Sequence, residues 1–444
     1  MNETDHSKKT YNIKKKFSIR TFGCQMNVYD SDRISEIMKG SGYEPEQDVE
    51  KTDILIINTC SVREKPRNRV ISVIENVRSR NAGVKIVIAG CVAQLEGEEL
   101  FADGADIIAG PDWYEELPSM LSRNELTGDR ISWLDQGDPR FLANSSEKFQ
   151  VSAFIPIQKG CDNYCAYCVV PAARGPERSR PFEEILQEVH HVVDKGTSEI
   201  FLLGQNVNSW KGDGGFAGLI SKISTIEGVK RIRFTTSHPA DISPELIKAF
   251  GNNNKLMPWL HLPLQSGSDR ILDAMKRKYH IDHYFNIVNN IRSIRSDIAL
   301  TTDIIVGFPG ETEDDFRKTF DAVSKIEYEG MFSFKYSSRP NTAAALMPDH
   351  ITEEIKGKRL TELQTMFEAK LPSLLQKYCG QAILVLVEGP SLRDPLVARG
   401  RTPQNHVINF ITDSDPQSLV GRIISIKVEE VRTHTLFGCA MPAF

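Results

Sequence analysis

Three cysteines crowd one short stretch, Gly160-Cys161-Asp162-Asn163-Tyr164-Cys165-Ala166-Tyr167-Cys168. Their spacing is C-x-x-x-C-x-x-C, directly after an apolar run over residues 151–158. A loop this short cannot hide three thiols in a core, but it can wrap them around one small object. Three thiolates suit three irons of a cubane [4Fe–4S] cluster and leave the fourth iron open for chemistry. Structural zinc is an alternative, although it normally takes four ligands and no histidine lies in the loop. Incidental thiols are another. Partial disulfide bonding would need an oxidising compartment, and nothing in the chain points to one.

A second set of cysteines is dispersed. Residues 17–22, 53–58 and 85–89 read as strands, with helices over 30–39, up to about residue 80, and near Glu96. Apolar strands alternating with amphipathic stretches imply a parallel sheet with helices on its faces. Cys24, Cys60 and Cys91 then lie just beyond successive strands. That is the edge where open α/β sheets form a ligand crevice. Three buried small hydrophobes are the plainer reading, since unligated cysteine is often one. Cys379 and Cys439 are isolated and read as incidental.

The elements that must hold the first loop are six candidate strands: 151–158, 199–204, 231–235, 259–264, 300–306 and 331–335. Helices over 182–195, 269–276 and 313–326 separate them, so the region reads as a partial (β/α)6 barrel. The thiol loop follows the first strand and sits at the C-terminal, catalytic face. Gln205 and Asn206, Ser237 and His238, and Gln265 and Ser266 arrive at that face from the next three strands. Gly307-Phe308-Pro309-Gly310-Glu311 follows the fifth and turns the chain. His238 and His261 read as hydrogen-bonding residues without an assigned role. A helix over 351–378, bent at Pro372, leads to short β-branched runs that suit a five-stranded OB-like barrel, a frequent RNA-binding module. Charge there is balanced, and a plain packing domain fits the composition nearly as well. The expected organisation is a polar tail 1–16, an α/β domain 17–135, a linker 136–150, the barrel 151–378 and the small β-barrel 379–444.

The 444 residues are 40% hydrophobic and 25% charged, with a net charge of −5. This describes an ordinary soluble protein of several domains. The charge gives no support to nucleic-acid binding, so any RNA contact must be a local patch. No signal-peptide pattern and no apolar run long enough to span a bilayer are present. The expected setting is the cytoplasm, with no membrane partner and with thiols reduced or metal-bound.

Taken together the motifs resemble those of the radical S-adenosylmethionine (SAM) methylthiotransferases, from about residue 17 to the end. They are Thr21-Phe22-Gly23-Cys24-Gln25-Met26-Asn27, Asn58-Thr59-Cys60-Ser61-Val62-Arg63, Ala89-Gly90-Cys91, the Cys161–Cys168 loop, Thr235-Thr236-Ser237-His238-Pro239 and His261-Leu262-Pro263-Leu264-Gln265-Ser266-Gly267-Ser268. The Gln-Met-Asn after Cys24 is similar to the tRNA branch that acts on isopentenylated adenosine. The resemblance implies an N-terminal flavodoxin-like α/β domain, a radical SAM barrel and a C-terminal TRAM-like domain. It implies two [4Fe–4S] clusters. One, on Cys161, Cys165 and Cys168, chelates SAM through its open iron; an auxiliary one is held by Cys24, Cys60 and Cys91. It further implies that Gln205 and Asn206 hold the SAM amino group. Ser237, Gln265 and Val306 would contact its ribose, carboxylate or adenine, and Tyr167 would flank the adenine. The implied substrate is tRNA carrying N6-isopentenyladenosine next to the anticodon, modified at C2. The implied partners are an electron donor such as flavodoxin or ferredoxin, and a sulfur source. Other acceptors in the family are a threonylcarbamoyl-adenosine and a ribosomal-protein aspartate; a cluster protein without turnover is the reading from another class. The chain departs from the family at three places. Ala172-Ala173-Arg174-Gly175-Pro176 stands for Tyr-Thr-Arg-Gly-Arg, Ser338-Arg339-Pro340-Asn341-Thr342 for Glu-Arg-Pro-Gly-Thr, and Pro66 for alanine.

Overall fold

The computed structural model describes residues 14–61, 66–135, 137, 141–142 and 149–442. It divides into two compact units, residues 1–142 and 143–444.

In the first unit, strands β1 (Lys16–Phe22), β2 (Glu44–Pro45), β3 (Ile54–Thr59), β4 (Lys85–Gly90), β5 (Ile107–Ala109) and β6 (Ile131–Trp133) form one sheet, ordered β2-β1-β3-β4-β5-β6. Every pairing is parallel. Helices α1 (Gln25–Gly40), α2 (Pro66–Arg80), α3 (Cys91–Glu96) and α4 (Leu117–Thr127) connect them. β3 shows why the sheet is covered on both sides. Ile54 and Ile56 pack with Ile34 and Met38 of α1, while Leu55 and Ile57 pack with Val70 and Ile74 of α2. Such strands read as unbroken apolar runs. α1 starts at Gln25, not at Asp30 as its polarity implies. Its first turns bury Asn27, Asp30, Ser31 and Arg33, polar residues that conceal the inward face in the sequence. β2, β5 and β6 are too short to leave a pattern.

In the second unit six parallel strands carry the larger core: β7 (Ser152–Pro156), β10 (Glu199–Leu203), β11 (Arg231–Phe234), β12 (Trp259–His261), β13 (Ala299–Val306) and β14 (Gly330–Lys335). The short strands β8 (Gln158–Lys159) and β9 (Arg178–Ser179) pair antiparallel beside them. The strands of this partial barrel fall in two three-stranded sheets, β11-β10-β7 and β12-β13-β14. Ile232 joins them through bonds to Lys255 O at 2.7 Å and from Met257 N at 3.0 Å, just ahead of β12. β12 ends at His261 rather than Leu264 because Pro263 has no N–H to continue the ladder. The helices between are α5 (Val170–Arg174), α6 (Phe182–Asp194), α7 (Gly215–Thr225), α8 (Pro244–Asn252), α9 (Asp269–Ala274), α10 (Ile281–Ile294) and α11 (Glu313–Ile326). Helix α12 (Glu353–Leu375) runs through Pro372 and passes into a 3-10 turn over Gln376–Tyr378.

Strands β15 (Ala382–Pro390), β16 (Ala398–Arg401), β17 (Val407–Ile411), β18 (Ile423–Arg432) and β19 (Thr435–Ala440) close a five-stranded barrel. This small barrel sits against the starts of the parallel strands. Arg231 donates to Arg401 O at 2.9 Å and Leu384 O at 2.7 Å, and Arg233 donates to Thr402 O at 2.7 Å and Pro403 O at 2.8 Å. Glu329, one residue before β14, accepts from Lys377, Tyr378 and His406. The thiol loop follows the opposite, carboxyl end of β7. Among the described residues no helix is long and apolar enough to cross a membrane.

Candidate active site

The loop after β7 is held by its neighbours' backbones. Gly160 has a φ of 75°, and a Cβ there would run into Pro176 O and lie 2.6 Å from Gly175 O, so only glycine fits. Cys161 N donates to Gly175 O at 3.3 Å. The altered segment, residues 172–176, therefore meets the loop through main-chain oxygens, which its substitutions leave in place. Ala172 and Pro176 themselves are exposed. Gln158 and Gln205 tie the ends of two strands reciprocally. Gln158 donates to Gly160 O at 2.6 Å and accepts from Gln205 N at 2.8 Å and Asn206 N at 3.0 Å, while Gln205 Oε1 accepts from Gly160 N at 2.7 Å. Tyr164, at φ 48°, turns the loop between the first two thiols and leaves its ring exposed. Ala166 is stitched to Met275 O at 2.9 Å and to Ala344 N at 2.8 Å. Tyr167 packs beside Ile271, Met275 and Phe308.

Burial, with Cys165 and Cys161 alongside, pushes the Cys168 thiol up to about 12. Burial also raises Cys161, against an opposing contribution from Asn163. Ligation must therefore displace protons, as metal binding by thiols does.

From the loop a chain of contacts runs round the tops of the strands. Arg277 Nη1 donates to Cys165 Sγ at 3.5 Å, Nη2 to Pro263 O at 3.1 Å and Nε to Tyr279 Oη at 3.1 Å. The Tyr279 ring meets His238 at 5.6 Å. His238 N donates to Asn206 Oδ1 at 3.1 Å, and Asn206 Nδ2 donates to Asp241 at 2.7 Å. Asn206 N returns to Gln158, which closes the ring at Gly160. His238 is neutral: burial, then Arg277 and Lys278, push it down to about 2. Its Nδ1 accepts from Ala240 N at 3.2 Å, so Nε2 carries the proton.

The donor sets fit the groups that the motifs imply. Ser237 Oγ, His238 Nε2 and Gln265 Oε1 are buried and have no hydrogen-bond partner among the described residues. Buried polar atoms are normally satisfied, so three orphans at these strand ends mark the place of a polar ligand. Gln205 and Asn206, by contrast, spend their side-chain acceptors on Gly160 and His238. Val306 is fully buried in the helix-side core, and its carbonyl accepts from Tyr336 N at 2.8 Å. Among the described residues no three His, Cys, Asp or Glu side chains gather closely enough for a single metal ion. A cubane asks less, because each thiolate takes its own iron.

The barrel lumen below the loop is lined by aromatics. On β14, Met331 packs into the helix-side core, Ser333 accepts from Gln364 and Lys335 pairs with Glu353. Alternation turns Phe332 and Phe334 to the lumen, where both rings are exposed. His261 stands beside them, 6.3 Å from Phe332 between ring centroids, with Thr301 Oγ1 at 2.9 Å and Asp303 Oδ2 at 3.5 Å.

In the first unit the register aligns the other thiols. Phe22 pairs with Thr59, and Thr59 with Gly90, so Cys24, Cys60 and Cys91 leave three adjacent strands at one level. A Cβ on Gly23 would lie 2.6 Å from Cys60 Cβ, which measures how tightly the first two loops approach. Cys60 N donates to Phe22 O at 2.8 Å, and Cys24 Sγ to Asn27 Oδ1 at 3.3 Å. Asn58 fastens Asn27 O and Ser31 Oγ behind them, at 3.0 and 2.9 Å. Cys60 and Cys91 are buried and Cys24 half-buried.

Sequence reasoning missed Gln158, Arg277, Tyr279 and Phe332. Gln158 looked like the end of a strand. Arg277 lies within Lys276-Arg277-Lys278, a run that reads as solvated, yet it alone of the three is buried.

A partial parallel barrel with three thiols at its mouth is the fold of the radical SAM enzymes, and residues 155–323 match the Radical SAM superfamily. Residues 16–110, which span Cys24, Cys60 and Cys91, match "Uncharacterized protein family UPF0004", and residues 376–440 match the TRAM domain. The fold is shared with the radical SAM methyltransferase TsrM of Kitasatospora setae, at TM-score 0.56 and 13% identity over 75% of this chain and 77% of that one. It is also shared with the cobalamin-dependent radical enzyme OxsB, at TM-score 0.50 and 12% identity over 80% of this chain and 56% of that one. The tRNA-2-methylthio-N(6)-dimethylallyladenosine synthase of Verminephrobacter eiseniae (strain EF01-2) is 43% identical over 96% of both chains. That of Paracidovorax citrulli (strain AAC00-1) is 42% identical over 96% of this chain and 97% of its own length. The chain belongs to this family of radical SAM methylthiotransferases.

Proposed function

We propose that the protein inserts sulfur and a methyl group at C2 of N6-isopentenyladenosine next to the anticodon of tRNA, giving 2-methylthio-N6-isopentenyladenosine. Family membership along 96% of the chain carries this reading. Cys161, Cys165 and Cys168 hold one [4Fe–4S] cluster, and Cys24, Cys60 and Cys91 hold the auxiliary one. When bound, the clusters and SAM supply the one-electron chemistry that exchanges an unactivated aromatic C–H bond for C–S. The chain's own residues position the reactants. Gln158, Gln205 and Asn206 pin the thiol loop to two strand ends. Ser237, His238 and Gln265 offer their unpartnered polar atoms to SAM, Tyr167 flanks its adenine and Val306 packs behind. The target base leaves its stack, as substrates of base-modifying enzymes do. It enters the lumen beside His261, Phe332 and Phe334.

Residues 17–135 serve the auxiliary cluster, 151–378 the radical step and 379–444 the grip on RNA. An electron donor such as flavodoxin or ferredoxin and a sulfur source complete the system, in the cytoplasm. The test is anaerobic incubation of the reconstituted protein with SAM, a reductant and an anticodon stem-loop RNA with or without the isopentenyl group. A methylthio mass gain on the isopentenylated RNA alone is expected. A gain instead on threonylcarbamoyl-adenosine RNA or on a ribosomal-protein aspartate reassigns the acceptor. No 5′-deoxyadenosine under any condition leaves a cluster protein without turnover.

A further inference from the structure

Arg277 is 8% exposed, and the contacts of its guanidinium are a thiol, a carbonyl and a tyrosine hydroxyl. Among the described residues no carboxylate stands within ion-pair reach of it. Several other deeply buried arginines face carboxylates. Arg233 has Glu199 at 2.9 Å, and Arg359 has Glu311 at 2.7 Å. An unpaired buried cation is costly, so folds retain one where an anion completes the pair. A cubane held by three thiolates is such an anion, and it gains a further negative charge on reduction. The fork suits the task. One arm faces the Cys165 sulfur while the other two nitrogens anchor it to Pro263 and Tyr279.

We propose that Arg277 is the counter-charge of the cluster on Cys161, Cys165 and Cys168, and that it raises the reduction potential of that cluster by favouring the more negative, reduced state. This rests on the cluster assignment above. Hydrogen bonds to sulfur and local net charge are established levers on such potentials. Arg277 is a positioning and tuning residue; its contact is with a ligand sulfur, not with the reacting base.

The experiment uses full-length Arg277→Lys, Arg277→Gln and Arg277→Met proteins beside wild type, reconstituted anaerobically and titrated against potential by EPR. With iron content unchanged, Arg277→Lys stays near wild type. The two uncharged variants are about tenfold less reduced at a fixed potential, about 59 mV for a one-electron couple. Equal midpoints in all four proteins overturn the proposal. If the uncharged variants take up no iron, urea unfolding of the cluster-free chains decides. Cluster-free Arg277→Met at least as stable as cluster-free wild type supports it, because an unanswered buried charge has been removed. A markedly less stable Arg277→Met overturns it, since the arginine would then serve the fold alone. Wild type that takes up no iron sinks the cluster assignment instead, so the two failures are distinguishable.

Discussion

Glu199 is the carboxylate on which the junction between the large and small barrels depends, and Glu199→Gln tests it. Glu199 is 3% exposed, Arg233 1% and Arg231 3%. Two guanidiniums share this one carboxylate, at 2.9 Å from Arg233 and 3.9 Å from Arg231. Their remaining donors go to carbonyls of residues 384, 401, 402 and 403 in the small barrel. At an effective dielectric near 20, the contact at 2.9 Å is worth about 6 kcal/mol of Coulomb attraction. The glutamine amide oxygen still accepts one hydrogen bond and recovers about 1 kcal/mol. Breaking a buried pair by removing one partner costs about 3–5 kcal/mol. We therefore expect a loss of about 2–4 kcal/mol, a melting shift of about 4–8 °C at the roughly 2 °C per kcal/mol of long chains. Differential scanning calorimetry reads the shift, and limited proteolysis after residue 375 reads release of the small barrel. Adding Arg233→Met to Glu199→Gln should cost less than the sum of the singles, because it removes the charge that was stranded. SAM cleavage without RNA should survive, since these residues lie at the strand ends opposite the thiol loop. A loss under about 1 kcal/mol, or strict additivity of the two substitutions, would refute the argument that this carboxylate neutralises the junction.

Other outcomes follow from the same structure. Reconstituted wild type should carry about eight irons per chain, and Cys91→Ala and Cys161→Ala about four each. Cys91→Ala should lose sulfur insertion yet retain some SAM cleavage, whereas Cys161→Ala loses both; intact turnover in either variant would sink the division of roles. Phe332→Ala removes an exposed ring from the lumen. Base stacking on an aromatic is worth about 1–3 kcal/mol, so the RNA KM should rise about tenfold or more, with 5′-deoxyadenosine formation retained. An unchanged KM would place the base elsewhere. Glu329 is held below the usual glutamate range: burial alone would raise it, but His406 and Lys377 outweigh burial. A depressed carboxylate contributes stability that is fully present above its unfolded value, about 4.3, and is lost as pH falls through the folded value. Urea midpoints should therefore drop below about pH 4.3 in wild type more steeply than in Glu329→Gln; parallel profiles would show that Glu329 does not drive the acid response.

Much of this was legible in one dimension. The C-x-x-x-C-x-x-C spacing needs no tertiary information, because covalent reach alone confines three thiols to one loop. The strand-end positions of Cys24, Cys60 and Cys91 were readable because β3 and β4, covered on both faces, are unbroken apolar runs. Where polar residues are buried, the pattern failed. Asn27, Asp30 and Ser31 hid the first turns of α1. Pro263, with no N–H for the ladder, ended β12 at His261.

What the sequence determined by itself is the chemistry available: which ligand types occur, at what spacing, and beyond which strands. What only the tertiary structure decided is which polar groups lose water and to whom they then bond. Arg277 and Cys165 are 112 positions apart, and Arg233 and Pro403 are 170 apart. Nothing local distinguishes Arg277 from the lysines on either side. Packing alone removes its solvent, and desolvation is what turns an ordinary base into a charge that needs an anionic partner.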